Sequence, residues 1–278
     1  MNTLISVAQL SSLLGEATIM IFDCRNALMD PAAGRKAYDK AHIPGAFYAD
    51  MSRDLSTPHH LGKTGRHPLP AQADWIRKVQ SWGLHPALQV VLYDDNGGAS
   101  AARLWWMLQW IGHAKAAVLN GGWQAWISTS MPVTDTVPAP HPPSAFAYSG
   151  LASRAFLLTA DQVDGNSQML LDARDPPRFR GEVEPIDPVA GHIPGAICSP
   201  FGANLNAAGA FKSVGELRQK FAGANQIDRP VVCYCGSGIT ACHNILAMTI
   251  AGLPMPLLYA GSWSEWITDP ARPVAKGE

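Results

Sequence analysis

The run Val231-Val232-Cys233-Tyr234-Cys235-Gly236-Ser237-Gly238-Ile239-Thr240-Ala241 decides how this chain is read. An apolar, β-branched stretch meets a thiol, passes through a loop of small residues and continues into an apolar helix-forming stretch. A strand, loop and helix in that order place Cys235 at the carboxyl end of a strand, near a helix N-terminus. The glycines let successive backbone N–H groups curl toward one point. Such surroundings favour a thiolate over a thiol. Earlier in the chain, Val90-Val91-Leu92-Tyr93 leads into Asp94-Asp95-Asn96-Gly97-Gly98 and a second apolar helix-forming stretch. Two copies of one unit, one with Cys235 and the other with Asp94 at the same point, imply a duplicated α/β fold.

The duplication extends outward from these strands. Ser6-Val7-Ala8-Gln9 and Thr159-Ala160-Asp161-Gln162 are both capping boxes that open a short helix. Asp23-Cys24-Arg25 and Asp172-Ala173-Arg174 each close an apolar strand, and each is followed by His-Ile-Pro-Gly-Ala, at 42–46 and 192–196. Gly122-Trp123-Gln124-Ala125-Trp126 matches Ser262-Trp263-Ser264-Glu265-Trp266. The copies keep their order throughout. Between them, residues 131–150 carry Pro132, Pro138, Pro140, Pro142 and Pro143. Proline at that density excludes helix and central strand and predicts an extended connector. The expected organisation is residues 1–130, a linker over 131–150, and residues 151–278. Alternating short β-branched runs and helical stretches predict a mainly parallel sheet flanked by helices in each half. Ligands bind such sheets at the carboxyl ends of the strands, where Cys235 stands.

Composition narrows the function classes. A net charge of −1 over 278 residues points away from nucleic acid and anionic membranes as partners. The amino-terminal residues lack the pattern of a secretory leader, and no apolar run approaches the ~20 residues of a membrane span. Five cysteines are an odd number and form no evident disulfide framework, so a reducing cytoplasm and a usable thiol are expected. Most of the nine tryptophans are expected to anchor cores.

The repeat also serves as an internal control. Features present in both halves (Asp23 and Asp172, Arg25 and Arg174, His42 and His192) are read as serving the fold. Features present once are candidates for chemistry. Cys235 is one, and the uncharged loop that follows it suits a bound anion. Arg178 is another, since Met29 occupies the matching place in the first half. Cys233 is read as a buried structural residue facing the other side of its strand. Cys233, Cys235, Cys242 and His243 match no zinc-binding spacing. A phosphatase reading needs an anion-binding arginine at the end of the loop, where Thr240, Ala241 and Cys242 stand.

The twin His-Ile-Pro-Gly-Ala segments and the Cys235-Gly236-Ser237-Gly238-Ile239-Thr240 loop resemble the two-domain rhodanese superfamily. The loop is most similar to that of the 3-mercaptopyruvate sulfurtransferases. The resemblance spans nearly the whole chain. It implies two tandem rhodanese-like domains, the first inactive with Asp94 in the cysteine's place, and a site in the cleft between them. It implies transfer of sulfane sulfur through a Cys235 persulfide, with no metal or organic cofactor. Ser237 and His67 are the implied catalytic companions of Cys235. Arg178, Gly236, Gly238, Ile239 and Thr240 are the implied substrate-binding residues.

The chain departs from the family pattern twice. Asp187 stands where a second arginine is usual in the mercaptopyruvate enzymes, as rhodanese proper tends to have it, and Arg180 is a possible substitute. At the expected place of the triad acid stands Ser52, flanked by Asp50 and Asp54. The expectation is a monomeric cytoplasmic sulfurtransferase using 3-mercaptopyruvate and a thiol, cyanide or thioredoxin-like acceptor. Thiosulfate:cyanide sulfur transfer is the alternative within the class. A non-catalytic sulfur-carrier or binding module is the alternative outside it.

Overall fold

The computed structural model describes residues 3–148, 156–225 and 229–278. The end of the proline-rich stretch, 149–150, and the start of the second half at 151 lie outside the described residues. The described chain forms two compact units. One comprises residues 3–57, 69–148 and 207–210, and the other residues 58–68, 156–206, 211–225 and 229–278. Residues 58–68, which lie within the first half by sequence, therefore pack as part of the second unit.

In the first unit, β1 (Leu4–Ile5), β2 (Ile19–Asp23), β3 (Ala46–Tyr48), β4 (Gln89–Tyr93) and β5 (Ala116–Leu119) form a sheet in the order β1-β5-β4-β2-β3. Every pairing in it is parallel. Helices α1 (Val7–Leu13), α2 (Ala33–Lys40), α3 (Gln72–Ser81), α4 (Ala99–Trp110) and α5 (Gly122–Ser128) connect or follow the strands. The second unit repeats this with β6 (Leu157–Leu158), β7 (Met169–Asp172), β8 (Ile197–Cys198), β9 (Val231–Tyr234) and β10 (Leu257–Tyr259), in the order β6-β10-β9-β7-β8, again all parallel. Its helices are α6 (Pro176–Phe179), α7 (Val214–Lys220), α8 (Ala222–Asn225), α9 (Thr240–Ile250) and α10 (Ser262–Trp266). The helices after the two central strands, α4 and α9, are mostly apolar and almost wholly buried, with Arg103 in α4 and His243 and Asn244 in α9 among the buried residues. The second unit adds a 3-10 turn at Phe201–Asn204 and the short α8, and the opening element also differs between the copies. The first capping box opens α1, whereas the second opens only a 3-10 turn at Ala160–Gln162. Asp164 follows, and its carboxylate accepts the N–H of Asn166, which ends the turn locally.

The repeated polar residues form the same network in each unit. Asp23 accepts from the Arg25 guanidinium at 2.6 Å and from the Tyr93 hydroxyl at 2.7 Å. Asp172 accepts from Arg174 at 2.7 Å. Each arginine also donates to a carbonyl just before the repeated histidine, that of Ala41 or Gly191, and lies over a tryptophan ring, Trp123 or Trp263. His42 and His192 bond through Nδ1 to backbone carbonyls and stack on Tyr38 and Phe179. Removing one member of such a buried pair strands a charge, at a cost of about 3–5 kcal/mol. These residues therefore fix loop bases at the strand ends.

The start of the proline-rich connector belongs to the repeat as well. Thr134 exchanges backbone hydrogen bonds with His42, and Trp126 Nε1 donates to the Pro132 carbonyl. Ala275 does the same with His192, and Trp266 Nε1 donates to Pro273. The same backbone bridge and tryptophan hydrogen bond thus close both units.

The register equates Asp94 with Cys235. Asp23 pairs with Tyr93 and Asp172 with Tyr234, so both residues leave the sheet at the same point. The fully buried Asp94 carboxylate accepts the N–H groups of Asn96, Gly98 and Ala101. Burial nevertheless raises its pKa from 3.8 to about 6, against the pull of those three donors. The folded chain thus keeps a proton that the unfolded chain has already released. That contribution to stability is present below about pH 4 and is lost as pH rises through 6. Asp94→Asn should remove the slope, which approaches about 1.4 kcal/mol per pH unit in that window. Urea unfolding at a series of pH values checks this, and an unchanged slope would assign the proton elsewhere.

Candidate active site

Cys235 follows β9 and is only 2% exposed. Its Sγ accepts the N–H groups of Gly238 at 3.1 Å and Ser237 at 3.4 Å. Gly238 makes this curl possible, with φ at +82° and the Ala260 carbonyl packed where a side chain would begin. The same loop in the first unit turns its N–H groups onto the Asp94 carboxylate. One cradle holds a carboxylate and the other a sulfur. Ile239 and Thr240 complete the loop and start α9, Ile239 buried and Thr240 half-buried. Cys233 and Cys242 are fully buried, and burial pushes the Cys233 thiol far above its ordinary value. All five cysteines are free. Among the described residues, no group of three or more His, Cys, Asp or Glu side chains is arranged to hold a metal ion.

The segment Gly65-Arg66-His67 docks against this loop. Gly65 lies so close to the backbone of Gly261 that a Cβ would stand 2.5 Å from its carbonyl oxygen. The Arg66 N–H donates to Ser264 Oγ at 3.1 Å. His67 Nδ1 then lies 2.8 Å from Ser237 Oγ. The structure therefore unites Cys235, Ser237 and His67, although His67 lies 170 residues from Ser237 in the chain. Asp50 accepts the N–H groups of Ser52 and Arg53, and Asp54 binds Lys78 at 2.8 Å.

Arg178 lies in the last turn of α6 with its guanidinium against Glu184, at 2.7 to 3.2 Å, and against Asp187 at 3.3 Å. Burial raises the Glu184 pKa, but the Arg178 hydrogen bond and nearby N–H groups outweigh it and leave the carboxyl below its ordinary value. Arg180 pairs with the exposed Glu182 and is not the second cation of this cluster. That place is taken by Arg66, whose Nη1 binds Asp187. A Cβ on Gly236 would stand 2.8 Å from Arg66 Nη2 and 3.6 Å from both terminal nitrogens of Arg178. The loop is uncharged in sequence, but two guanidiniums lie against it.

Arg66 escaped the sequence reading because its partner, Asp187, is 121 residues away. Ser262 escaped it too. Its Oγ accepts the Cys235 N–H at 3.1 Å and donates to the Tyr259 carbonyl at 2.9 Å. Its φ is +56°, as is that of Gly122 at the matching place in the first unit. A side chain there is strained, and the signal was available as a serine aligned with a glycine.

A scan against family models matches the rhodanese-like domain twice, over residues 6–129 and 158–269. The chain is 49% identical over 283 residues to a Pseudomonas aeruginosa protein named "Probable 3-mercaptopyruvate sulfurtransferase", covering 99% of this chain and 98% of that one. It is 34% identical over 258 residues to thiosulfate sulfurtransferase of Rattus norvegicus, covering 88% and 84%. Among solved structures, 3-mercaptopyruvate sulfurtransferase from Leishmania major superposes with a TM-score of 0.84 at 33% identity, covering 95% of this chain and 74% of that one.

The strain at Ser262 gives an ordered expectation. Ser262→Ala keeps the strained backbone and loses both hydrogen bonds, and should destabilise the protein by about 1–2 kcal/mol. Ser262→Gly loses the same bonds but relaxes φ, and should be the more stable of the two. Thermal unfolding ranks them, and an alanine variant as stable as the glycine variant would contradict the strain. With its two halves each matched by the same domain and its sheets in the same order, the chain belongs to the rhodanese family.

Proposed function

We propose that this protein is a sulfurtransferase that moves sulfane sulfur from 3-mercaptopyruvate to a thiophilic acceptor through a persulfide on Cys235. The observation that carries this reading is the pair of N–H groups on Cys235 Sγ beside two guanidiniums at Gly236. A nucleophilic sulfur and a carboxylate-sized positive site stand within one loop of each other. The names of the Pseudomonas and Leishmania relatives support the same donor.

In the first step the Cys235 thiolate attacks the donor sulfur. The new S–S bond forms as the C–S bond breaks, and its electron pair leaves on carbon as the enolate of pyruvate. The proton carried by the donor thiol ends on that carbon, giving pyruvate and a persulfide anion on Cys235. In the second step the acceptor, a thiolate or cyanide, attacks the outer sulfur and restores the Cys235 thiolate. One difficult transfer becomes two easier ones. The Ser237 and Gly238 N–H groups stabilise negative charge that moves between the two sulfurs, as an oxyanion hole does. Ser237 and His67, hydrogen-bonded at 2.8 Å, form the route for the proton that reaches the enolate carbon. Arg178 holds the donor carboxylate, for which a guanidinium fork is suited.

All five of these side chains (Cys235, Ser237, His67, Arg178 and Arg66) come from one compact unit, which supports action as a monomer. Five free thiols suit a reducing compartment such as the cytoplasm, with a cellular thiol, cyanide or a thioredoxin-like dithiol as acceptor. Among the described residues, no helix is long and apolar enough to cross a membrane. Thiosulfate as the main donor is the second reading, favoured by the cationic character that Arg66 adds and by the thiosulfate sulfurtransferase relative.

Steady-state kinetics with each donor separates the two. The kcat/KM for 3-mercaptopyruvate should exceed that for thiosulfate, and Cys235→Ser should abolish turnover with both. A higher efficiency with thiosulfate would overturn the donor, and residual turnover in Cys235→Ser would overturn the mechanism. His67→Ala should lower kcat by about 10²-fold or more while leaving KM within a few-fold.

A further inference from the structure

The turn between β10 and α10 is a backbone that the sulfur loop and the His67 segment both touch. The Ala260 carbonyl packs against Gly238, and the Gly261 carbonyl against Gly65. Gly238 donates to Cys235 Sγ, and Gly65 leads to His67. The first unit makes the matching turn differently. Gly121 has a φ of +85°, whereas Gly261 is right-handed at −63°. The backbone at Gly261 is therefore one that any residue could adopt, yet a side chain is excluded there. The three nearest atoms that a Cβ would meet all belong to Glu265, whose carboxylate folds back over Gly261. In the first unit Ala125 stands at the place of Glu265, and Leu119 at that of Tyr259. Burial and the neighbouring Glu265 carboxylate push the Tyr259 phenol far above its ordinary value. This carboxylate, beside a buried neutral hydroxyl and a glycine backbone, belongs only to the unit that carries Cys235.

We propose that Glu265 is a positioning residue, whose carboxylate holds Gly261 right-handed and so seats Gly65 and sets His67 against Ser237. This rests on the sulfurtransferase reading, in which His67 and Ser237 carry the proton. Glycine populates left- and right-handed backbone about equally, so the turn needs an outside contact to choose between them. A flip to the left-handed form of Gly121 would turn the peptide planes on either side of Gly261. With them would turn the two carbonyls against which Gly238 and Gly65 rest. The Gly261 carbonyl also accepts from Ser264 Oγ, which in turn accepts the Arg66 N–H. The turn is thus tied to the His67 segment twice, and Glu265 decides its hand.

Glu265→Ala should lower kcat for 3-mercaptopyruvate by about tenfold and leave KM within about twofold. Glu265→Gln keeps an oxygen over Gly261 and should stay within about threefold of the parent kcat. Alanine at position 261 resists the left-handed form, so it supplies the same constraint without the carboxylate. In the parent protein, where it collides with Glu265, Gly261→Ala should lower Tm. In Glu265→Gly, which clears the collision, the same change should raise Tm and recover about threefold or more of the lost kcat. Loss of packing alone would give no such recovery. The proposal is overturned by a parent-like kcat in Glu265→Ala, or by Glu265→Gln as slow as Glu265→Ala. It is overturned equally by a double variant that is less stable or no faster than Glu265→Gly. Each of these leaves the sulfurtransferase reading intact. A parent protein that turns over neither donor overturns that reading, and this inference with it.

Discussion

The convergence of backbone N–H groups on one atom just past the central strand is the constraint on which the rest of the structure depends. A parallel sheet delivers its central strand, β4 or β9, to the same point in both units, and the loop that follows turns its donors inward. Those donors are buried and need a negative or polarizable partner. The first unit meets the need with the Asp94 carboxylate, the second with Cys235 Sγ. The carboxylate satisfies its cradle permanently and leaves nothing to react. A thiolate satisfies it while remaining a nucleophile, and a persulfide can shift charge between two sulfurs without leaving the donors. Under the proposed function, one difference between the copies of a duplicated fold divides a structural copy from a chemical one.

Around that atom the second unit adds to a support that both units share, the N–H of Trp123 or Trp263 donating to the carbonyl of Asp94 or Cys235. Ser262 takes on a left-handed backbone conformation and uses its hydroxyl to hold the Cys235 N–H. Trp263 and Ser264 donate their N–H groups to the carbonyls of Cys235 and Gly236. The short α10 is thus a clamp on the loop as much as a helix. Ser264 also fixes Arg66, so the same clamp brings the segment that carries His67 to Ser237. Arg66, the His67–Ser237 pair and Cys235 are joined through three consecutive residues of α10.

Much of this was legible in the chain. The capping boxes, the Asp-x-Arg triplets and the His-Ile-Pro-Gly-Ala segments announced the duplication, because each is a local pattern with its own turn or cap chemistry. The comparison of Asp94 with Cys235 needed only the register of two similar strands. What sequence could not supply was long-range pairing. Residues 58–68 read as part of the first half yet pack with the second unit, and Arg66 acquires its meaning from Asp187. Asp187 looked like a departure from the pattern because the cation that answers it is remote in the chain. Proline density marked residues 131–150 as a connector, and composition does not reveal the isolated bridge between Thr134 and His42 that is repeated between Ala275 and His192.

The central claim is that sulfur rests on Cys235 between two half-reactions. Intact-mass spectrometry of the purified protein after brief exposure to 3-mercaptopyruvate, without acceptor, tests it most directly. The account predicts a gain of about 32 Da, one sulfur atom, that maps to the Cys235 peptide, disappears on adding cyanide and is absent in Cys235→Ser. No gain in mass, or one that persists in Cys235→Ser, would contradict it.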